Sequence, residues 1–462
     1  MSSFSSFSSL PLNQSIADVL ERRSFHQMTP VQQETLPHSL DGRDVLAKAR
    51  TGSGKTLAFL LPVFNKLELN QYSPQAIILC PTRELAEQVA QEARVVGQVM
   101  GNVKVLAVYG GVPIRHHIQS LEHGAHIIVG TPGRVKDLLA RQQLDFSQIT
   151  FRVLDEVDRM LDLGFHDDVA EIFSAITTPV QTLMFSATLP AAVETLASRF
   201  LRQPLKCEIS APELAQPQIS EVAYHVGTLS KLQALKALLT TCQPTSAIIF
   251  CNRRIHVAEV VDELSNAGFS VQGLDGGMEQ AKRNEVIIRF SAKALQILVA
   301  TDVAARGLDI EQVDHVFNYS VSEEVESHIH RIGRTARGDA EGTAITLYDD
   351  NELAHLNKIE AFREKQFVKK SAQSLTFQPK NVSQPAYTCL VLSAGKKSKI
   401  RPGDIVGALT NDAAIQADDI GNIKVVSNAS YVAVKTRSAK RAMAHFREGK
   451  IKGKKVRCKK LT

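Results

Sequence analysis

Short apolar runs that end on polar or glycine-bearing clusters recur along most of this chain, and they limit its fold more than any other feature. "DVLAKA" leads into "RTGSGKT", "AIILC" into "PTRE", "HIIVG" into "TPGR", "FRVL" into "DEVD" and "TLMF" into "SAT". Runs of four to six apolar residues between helical stretches read as strands buried on both faces, the signature of parallel sheets covered by helices. Open parallel sheets bind ligands at the carboxyl ends of their strands. Each cluster lies at such an end, so all of them are expected on one surface.

The rhythm breaks near residues 207–217 ("CEISAPELAQP") and resumes in "SAIIFCN", "QILVATD", "HVFNYS" and "TAITLY", with helical stretches such as "NEVIIRFSA" between them. It breaks again near 366–386, where Ser, Gln and Pro accumulate. The expected organisation is one α/β domain over 1–206, a linker over 207–217 and a second α/β domain over 218–365. A further linker over 366–386 then leads to a small module over 387–462.

Charge sharpens this division. Residues 387–462 hold 17 Lys and Arg against 5 Asp and Glu, a net +12 in a chain whose total is +6. The preceding residues therefore carry a net −6, and the pattern predicts a polyanion-binding module attached to a nearly balanced body. A hydrophobic content of 44% supplies ample core. The uncharged stretch 172–193 is interrupted by Pro179, Gln181 and Pro190, so no membrane span is expected. "MSSFSSFSSL" lacks a basic segment followed by an apolar one, so no signal peptide is expected either. Six scattered cysteines without a CxxC pair read as reduced cytosolic thiols rather than a zinc or disulfide framework.

"ARTGSGKT" (49–56) follows an expected strand and should open a helix. Gly52, Ser53 and Gly54 let backbone N–H groups approach phosphate oxygens, and the helix N-terminus adds favourable partial charge. Lys55 would reach the β- and γ-phosphates of ATP, and the Thr56 hydroxyl would bind Mg²⁺. Ala49 replaces the usual first glycine of such a loop. Phosphoryl transfer needs a carboxylate for Mg²⁺ and another to orient the attacking water. In "VLDEVD" (153–158), Asp155 is the metal candidate and Glu156 the base.

With these residues in place the order of motifs is recognisable. Residues 1–365 resemble the DEAD-box ATP-dependent RNA helicases through "MTPVQ", "ARTGSGKT", "PTREL", Gly110–Gly111, "TPGR", "DEVD", "SAT", "IIFCN", "ATDVAARGLD" and "HRIGRTAR". The resemblance implies two RecA-like parallel-sheet domains in tandem that close around ATP and single-stranded RNA. It implies that Gln32 bonds the adenine edge, with Phe25 and Phe7 packing around the base, and that Asp309 contacts the ribose. It gives Arg334 and Arg337 the role of arginine fingers acting with Lys55, Asp155 and Glu156. Asp158, Ser186 and Thr188 would couple the site to His330. Pro81, Thr82, Arg83, Gly110, Gly111, Thr131, Gly133 and Arg134 would track the RNA backbone on the first domain, and Gln280, Arg283 and Thr301 on the second. Such contacts position a strand without reading its sequence.

Three positions depart from the family pattern. Val157 replaces the alanine of the family name, and its side chain is expected to be accommodated by neighbouring packing. Ser24 stands where glycine is common. "LDGGMEQAKR" (274–283) carries Asp275 for His and Gly277 for Asp.

Residues 387–462 resemble the C-terminal RNA-binding module of the DbpA subfamily, a small α+β fold like the RNA-recognition motif. The matching strings are "GKKSKIRPGDIVGALT", "DDIGNI", "YVAV" and "GKIKGKKVR", with "YTCLVL" and "YVAV" as central strands. Tyr431 is the main aromatic candidate for base stacking. Lys396, Lys397, Lys399, Arg401, Lys450, Lys452, Lys454 and Arg457 are expected to bind through phosphates. The resemblance implies recognition of a 23S rRNA hairpin near the peptidyl-transferase centre, within the precursor of the large ribosomal subunit. The expected protein is a cytoplasmic monomer that hydrolyses ATP to separate short RNA helices. The alternative is an ATP-gated RNA clamp or assembly scaffold that does not unwind.

Overall fold

The computed structural model describes residues 6–49, 52–209, 219–305, 313–336, 342–448 and 450–461. Asp309, Arg337 and most of the stretch expected as the first linker lie outside the described residues. The described chain divides into two compact units, one ending at residue 209 and the other starting at 219.

In the first unit, among the described residues, seven strands form one parallel sheet: β1 (Val45–Lys48), β2 (Ala76–Leu79), β3 (Val105–Val108), β4 (Ile127–Gly130), β5 (Phe151–Asp155), β6 (Gln181–Ser186) and β7 (Leu205–Glu208). Their order is β3-β4-β2-β5-β6-β1-β7. Successive side chains of a strand point to opposite faces. Accordingly Ala47, Ile78 and Val153 enter one buried cluster, while Leu46, Ile77, Leu79 and Leu154 enter another. Both faces are covered, which is why the central strands carry apolar side chains on both faces.

The second unit repeats this plan. Strands β8 (Ile219–His225), β9 (Ala247–Phe250), β10 (Val271–Leu274), β11 (Ile297–Ala300), β12 (His315–Asn318), β13 (Gly342–Tyr348) and β14 (Val368–Ser371) lie in the order β10-β11-β9-β12-β13-β8-β14. This is the first sheet's order with each number raised by seven, and all its pairings are parallel. The strand equivalent to β1 ends at His225 without a phosphate loop, so only the first copy carries that loop.

Two boundaries differ from those expected. Strand β7 pairs with β1 as far as Glu208, inside the expected first linker. Strand β14 pairs with β8, and Leu375, Phe377 and Val382 pack on the second core, so the expected linker 366–386 contributes to the second sheet and its cover.

The C-terminal part of the second unit is an antiparallel sheet of β15 (Tyr387–Leu392), β16 (Ile420–Val425), β17 (Ser430–Lys435) and β20 (Cys458–Lys460), ordered β16-β17-β15-β20. A two-stranded ribbon, β18 (Lys450–Ile451) with β19 (Lys454–Lys455), precedes β20. Helices Pro402–Gly407 and Ala439–Glu448 alternate with the strands. Leu390, Leu392, Val432 and Val434 face the core, together with Ile405 and Phe446. The central strands are the expected pair.

Candidate nucleotide site and RNA interface

Register places the clusters. Lys48 pairs with Ser186, and Asp155 with Phe185, so the loop after β1, the "SAT" turn and the acids leave adjacent strands at one level. On the other side of β5, Leu79 pairs with Leu154 and Gly130, and Val108 with Gly130. The sheet therefore separates two functions along one edge. The phosphate and acid groups follow β1, β6 and β5, and the groups expected on RNA follow β2, β4 and β3.

Gly52 and Gly54 have φ of 81° and 92°, a left-handed conformation that favours glycine. A Cβ on Gly54 would also lie 2.7 Å from Gln32 Nε2. Gln32 is 3% exposed; its Oε1 accepts from Thr29 N at 2.9 Å and its Nε2 donates to Gly54 O at 3.0 Å. The expected adenine residue thus braces the phosphate loop. Phe25 is half-buried with the Arg23 guanidinium 4.7 Å from its ring centre, whereas Phe7 is buried in the core.

Lys55 opens the helix Lys55–Asn65, and its Nζ lies 3.7 Å from Asp155 Oδ1. Both atoms are buried without a hydrogen-bond partner. Such orphaned groups are costly unless something satisfies them. A phosphate oxygen on Lys55 and a divalent cation on Asp155 would do so, and the donor set fits a hard cation with Thr56 beside it. Burial pushes the Asp155 carboxyl up to about 6 against the pull of Lys55. A bound cation would reverse that shift.

Glu156 adopts φ 57°, ψ 55° at the start of helix Val157–Asp162. A non-glycine residue in this region is uncommon and held by its surroundings. Arg159, itself buried, donates to Glu156 Oε2 at 2.5 Å. Asp158 Oδ2 accepts from Ala187 N, Thr188 N and Thr188 Oγ1 at 3.1, 2.8 and 2.8 Å, and Asp158 N donates to Ser186 Oγ at 3.2 Å. Three of the four expected coupling residues are therefore in contact. The fourth, His330, lies on helix Val325–Ile332 of the second unit.

Of the residues expected on RNA, Thr82 caps the helix Arg83–Gly97 through Leu85 N, Gly111 has φ 83°, and Gly133 is exposed. Arg134 donates twice to Val112 O, joining "TPGR" to the segment after Gly111. Pro81 and Thr131 are buried at strand exits. In the second unit Gln280 begins the helix Gln280–Ser291. Arg283 is 8% exposed and donates to Ala304 O at 2.7 Å, beside Thr301 at the end of β11. A small cavity is lined by Phe250, Asp302, Ala305, His330, Arg331 and Arg334.

Comparison with known proteins agrees with this geometry. Residues 29–196 match the family model "DEAD/DEAH box helicase", 230–339 "Helicase conserved C-terminal domain" and 389–460 "DbpA RNA binding domain". The chain is 39% identical over 465 residues to the ATP-dependent RNA helicase DbpA of Escherichia coli, covering 100% of both chains.

The chain is a DEAD-box RNA helicase.

The helicase is also 34% identical to DbpA of Bacillus subtilis, with 99% of each chain covered. The structure of S. cerevisiae Dbp5 bound to RNA and ADP BeF3 superposes with a TM-score of 0.72 at 28% identity, covering 80% of this chain and 96% of that one. The helicase is accordingly an ATP-hydrolysing enzyme that acts on RNA, built from two RecA-like domains and a DbpA-type RNA-binding domain. Among the described residues no helix is long and apolar enough to cross a membrane.

The departures from the family pattern each find a local explanation. Val157 is fully buried in the cluster with Leu154, Met160 and Met184, as expected of a side chain packed behind the acids. Ser24 has φ 55°, the conformation glycine takes without strain. Asp275 Oδ1 accepts from Gly277 N at 2.6 Å and pairs with Arg254 Nη2 at 3.1 Å. A Cβ on Gly277 would lie 2.0 Å from that Nη2, so the two changes fit each other.

In the helicase's RNA-binding domain, all eight expected cations are exposed. Lys454 Nζ donates to Ser398 O at 2.9 Å, which brings the β18–β19 ribbon against the turn carrying Lys396, Lys397 and Lys399. Lys452 lies 3.6 Å from Asp404. Tyr431 is placed differently from its expected role. With Tyr387, Cys389 and Ala433 it packs on Ile288 of the helix Gln280–Ser291 and on Ala292, which caps that helix. The sheet face on which bases were expected to stack is occupied by the second RecA-like domain.

Sequence reading assigned no role to Arg159 or Arg331. Arg331 is 1% exposed; it forks onto Asp302 at 2.7 and 2.7 Å, reaches Asn252 Oδ1 and Ser320 O at 2.7 Å each, and lies 5.4 Å from the centre of the Phe250 ring. It ties "IIFCN", "ATD" and "HRIGR" together. Its place inside the last of those strings was the available signal.

Proposed function

We propose that this helicase uses ATP hydrolysis with Mg²⁺ to separate short RNA helices in the precursor of the large ribosomal subunit, directed there by its C-terminal domain. Thr56 and Asp155 would hold the cation, whose charge would offset that of the phosphates. Lys55 with Gly52, Ser53 and Gly54 binds the phosphates, while Gln32 and Phe25 form the adenine end, backed by the buried Phe7, and Asp309 meets the ribose. Glu156 takes the proton of the attacking water. Arg334 and Arg337 add positive charge at the γ-phosphate, and loss of that phosphate releases RNA from the backbone-tracking loops. The site would act in the cytoplasm, as a monomer.

The observation that supports targeting is the exposed basic corner formed by the turn at Lys396–Lys399 and the ribbon at Lys450–Lys455. Its chemistry suits phosphates, and the resemblance of residues 387–462 to the DbpA-type module implies a 23S rRNA hairpin near the peptidyl-transferase centre as the target. If about half or more of the eight cations contact phosphate, log affinity should fall against log salt with a slope of roughly −3 to −7. Equilibrium binding of the full chain to a hairpin-bearing 23S fragment and to an unrelated structured RNA, across salt, tests this. Tighter binding of the fragment on a steep slope is expected. A flat slope removes the phosphate account, and equal affinity removes the target.

A further inference from the structure

His117 belongs to none of the motifs, yet it sits among three of the clusters expected on RNA. It lies on the helix Ile114–Leu121 and is 6% exposed. Arg134 of "TPGR" donates from Nη1 to His117 Nδ1 at 2.8 Å, with the same guanidinium on Val112 O at 3.0 Å. The Tyr109 ring, immediately before Gly110–Gly111, meets His117 edge-on with centroids 6.2 Å apart. Tyr109 OH donates to Glu87 Oε2 at 2.9 Å, on the helix that Thr82 and Arg83 begin. Arg94 holds the other oxygen of Glu87 at 3.0 Å. Arg83 closes the circle: a Cβ on Gly110 would lie 3.1 Å from its Nη2.

The Arg134 contact requires Nδ1 to carry a lone pair, because a guanidinium only donates. His117 is therefore neutral, with its proton on Nε2. Burial and the neighbouring Arg134 and His116 charges hold its pKa down to about 4 and agree with that assignment. A histidine buried only to fill space would not need an acceptor aimed at a cation expected to touch phosphate.

We propose that His117 is a positioning residue for the RNA-backbone grip of the first domain. Acting through Arg134, it fixes the distance between the Gly110–Gly111 loop and the "TPGR" turn, so that both meet one stretch of strand. The preorganised geometry matters because ordering a long cationic side chain only when RNA arrives would weaken binding. This rests on the reading of Arg134 and Gly110–Gly111 as RNA contacts.

The test uses the full-length helicase and reads the RNA concentration giving half-maximal ATPase, kcat, and affinity for a fluorescent ATP analogue. His117→Leu keeps bulk but removes the acceptor from a charged donor, so half-maximal RNA should rise about tenfold or more with ATP affinity unchanged. His117→Asn keeps an acceptor near the Nδ1 position and should stay within about threefold of wild type. His117→Gln carries its acceptor one bond further out and should resemble His117→Leu; this comparison serves if the Leu variant does not fold. Arg134→Ala is the control for the underlying reading. If it leaves half-maximal RNA unchanged, that reading fails. If Arg134→Ala weakens RNA binding but His117→Leu does not, or if Asn and Leu lose ATP and RNA affinity alike, the positioning role is overturned.

Discussion

Replacing Glu156 with Gln should slow ATP turnover by about 10²–10⁴-fold, the range lost when a positioned general base is removed. The amide has the shape of the carboxylate but cannot take a proton from water. ATP binding should persist, because Lys55, Asp155 and the glycine loop are untouched. The structure adds a reason to expect a clean separation. Glu156 is held in a left-handed conformation, with Arg159 on one carboxylate oxygen. The amide oxygen of Gln can still accept from Arg159, so the local fold should survive. Single-turnover hydrolysis and fluorescent-nucleotide binding on the same variant provide the check. Turnover within about twofold of wild type would refute the role given to Glu156.

The second large effect is expected at Arg331. Methionine matches the aliphatic stem of arginine without its charge or donors. Arg331→Met would leave Asp302, Asn252 Oδ1 and Ser320 O without their shared partner in a mostly buried setting. Breaking a buried pair by removing one partner costs about 3–5 kcal/mol, and Asp302, at 21% side-chain exposure, regains some hydration. A loss near 3 kcal/mol is expected in the second unit, with little change in the first. Urea unfolding followed by probes placed in each unit should show the second transition alone moving to lower urea. ATPase should fall with it, since Arg334 leaves the same helix one turn later. An unmoved second transition would show that the Arg331 network is not a structural tie.

The sequence made much of this legible because the central parallel strands carry apolar side chains on both faces and end where ligands bind. The phosphate loop, the acids and the backbone-tracking loops were all placed on one edge by that rule. Two of the four edge strands of the parallel sheets, β7 and β14, escaped it. "LKCE" and "VKKS" are short and polar, each with a neighbour on one side only, so the second half of the first and all of the second were read as linker. Tyr431 was misjudged for a different reason. Alternation along β17 shows that its side chain leaves the domain core, but not that Ile288 and Ala292, more than 130 residues earlier, cover that face. Arg159, Arg331 and His117 were hidden likewise. A buried cation or a neutral imidazole acceptor depends on partners brought together by the fold, and composition or periodicity carries no trace of that.

The central claim is that RNA governs ATP turnover and that the C-terminal domain chooses the RNA. Steady-state ATPase activity should be measured without RNA, with an unrelated structured RNA, and with a 23S fragment containing the peptidyl-transferase-centre hairpin, with Glu156→Gln as the blank. The account predicts low turnover alone, a small rise with the unrelated RNA and strong stimulation at much lower concentration by the fragment. Equal stimulation by both RNAs would contradict the targeting, and no stimulation by either despite ATP binding would leave an ATP-gated clamp in place of a motor.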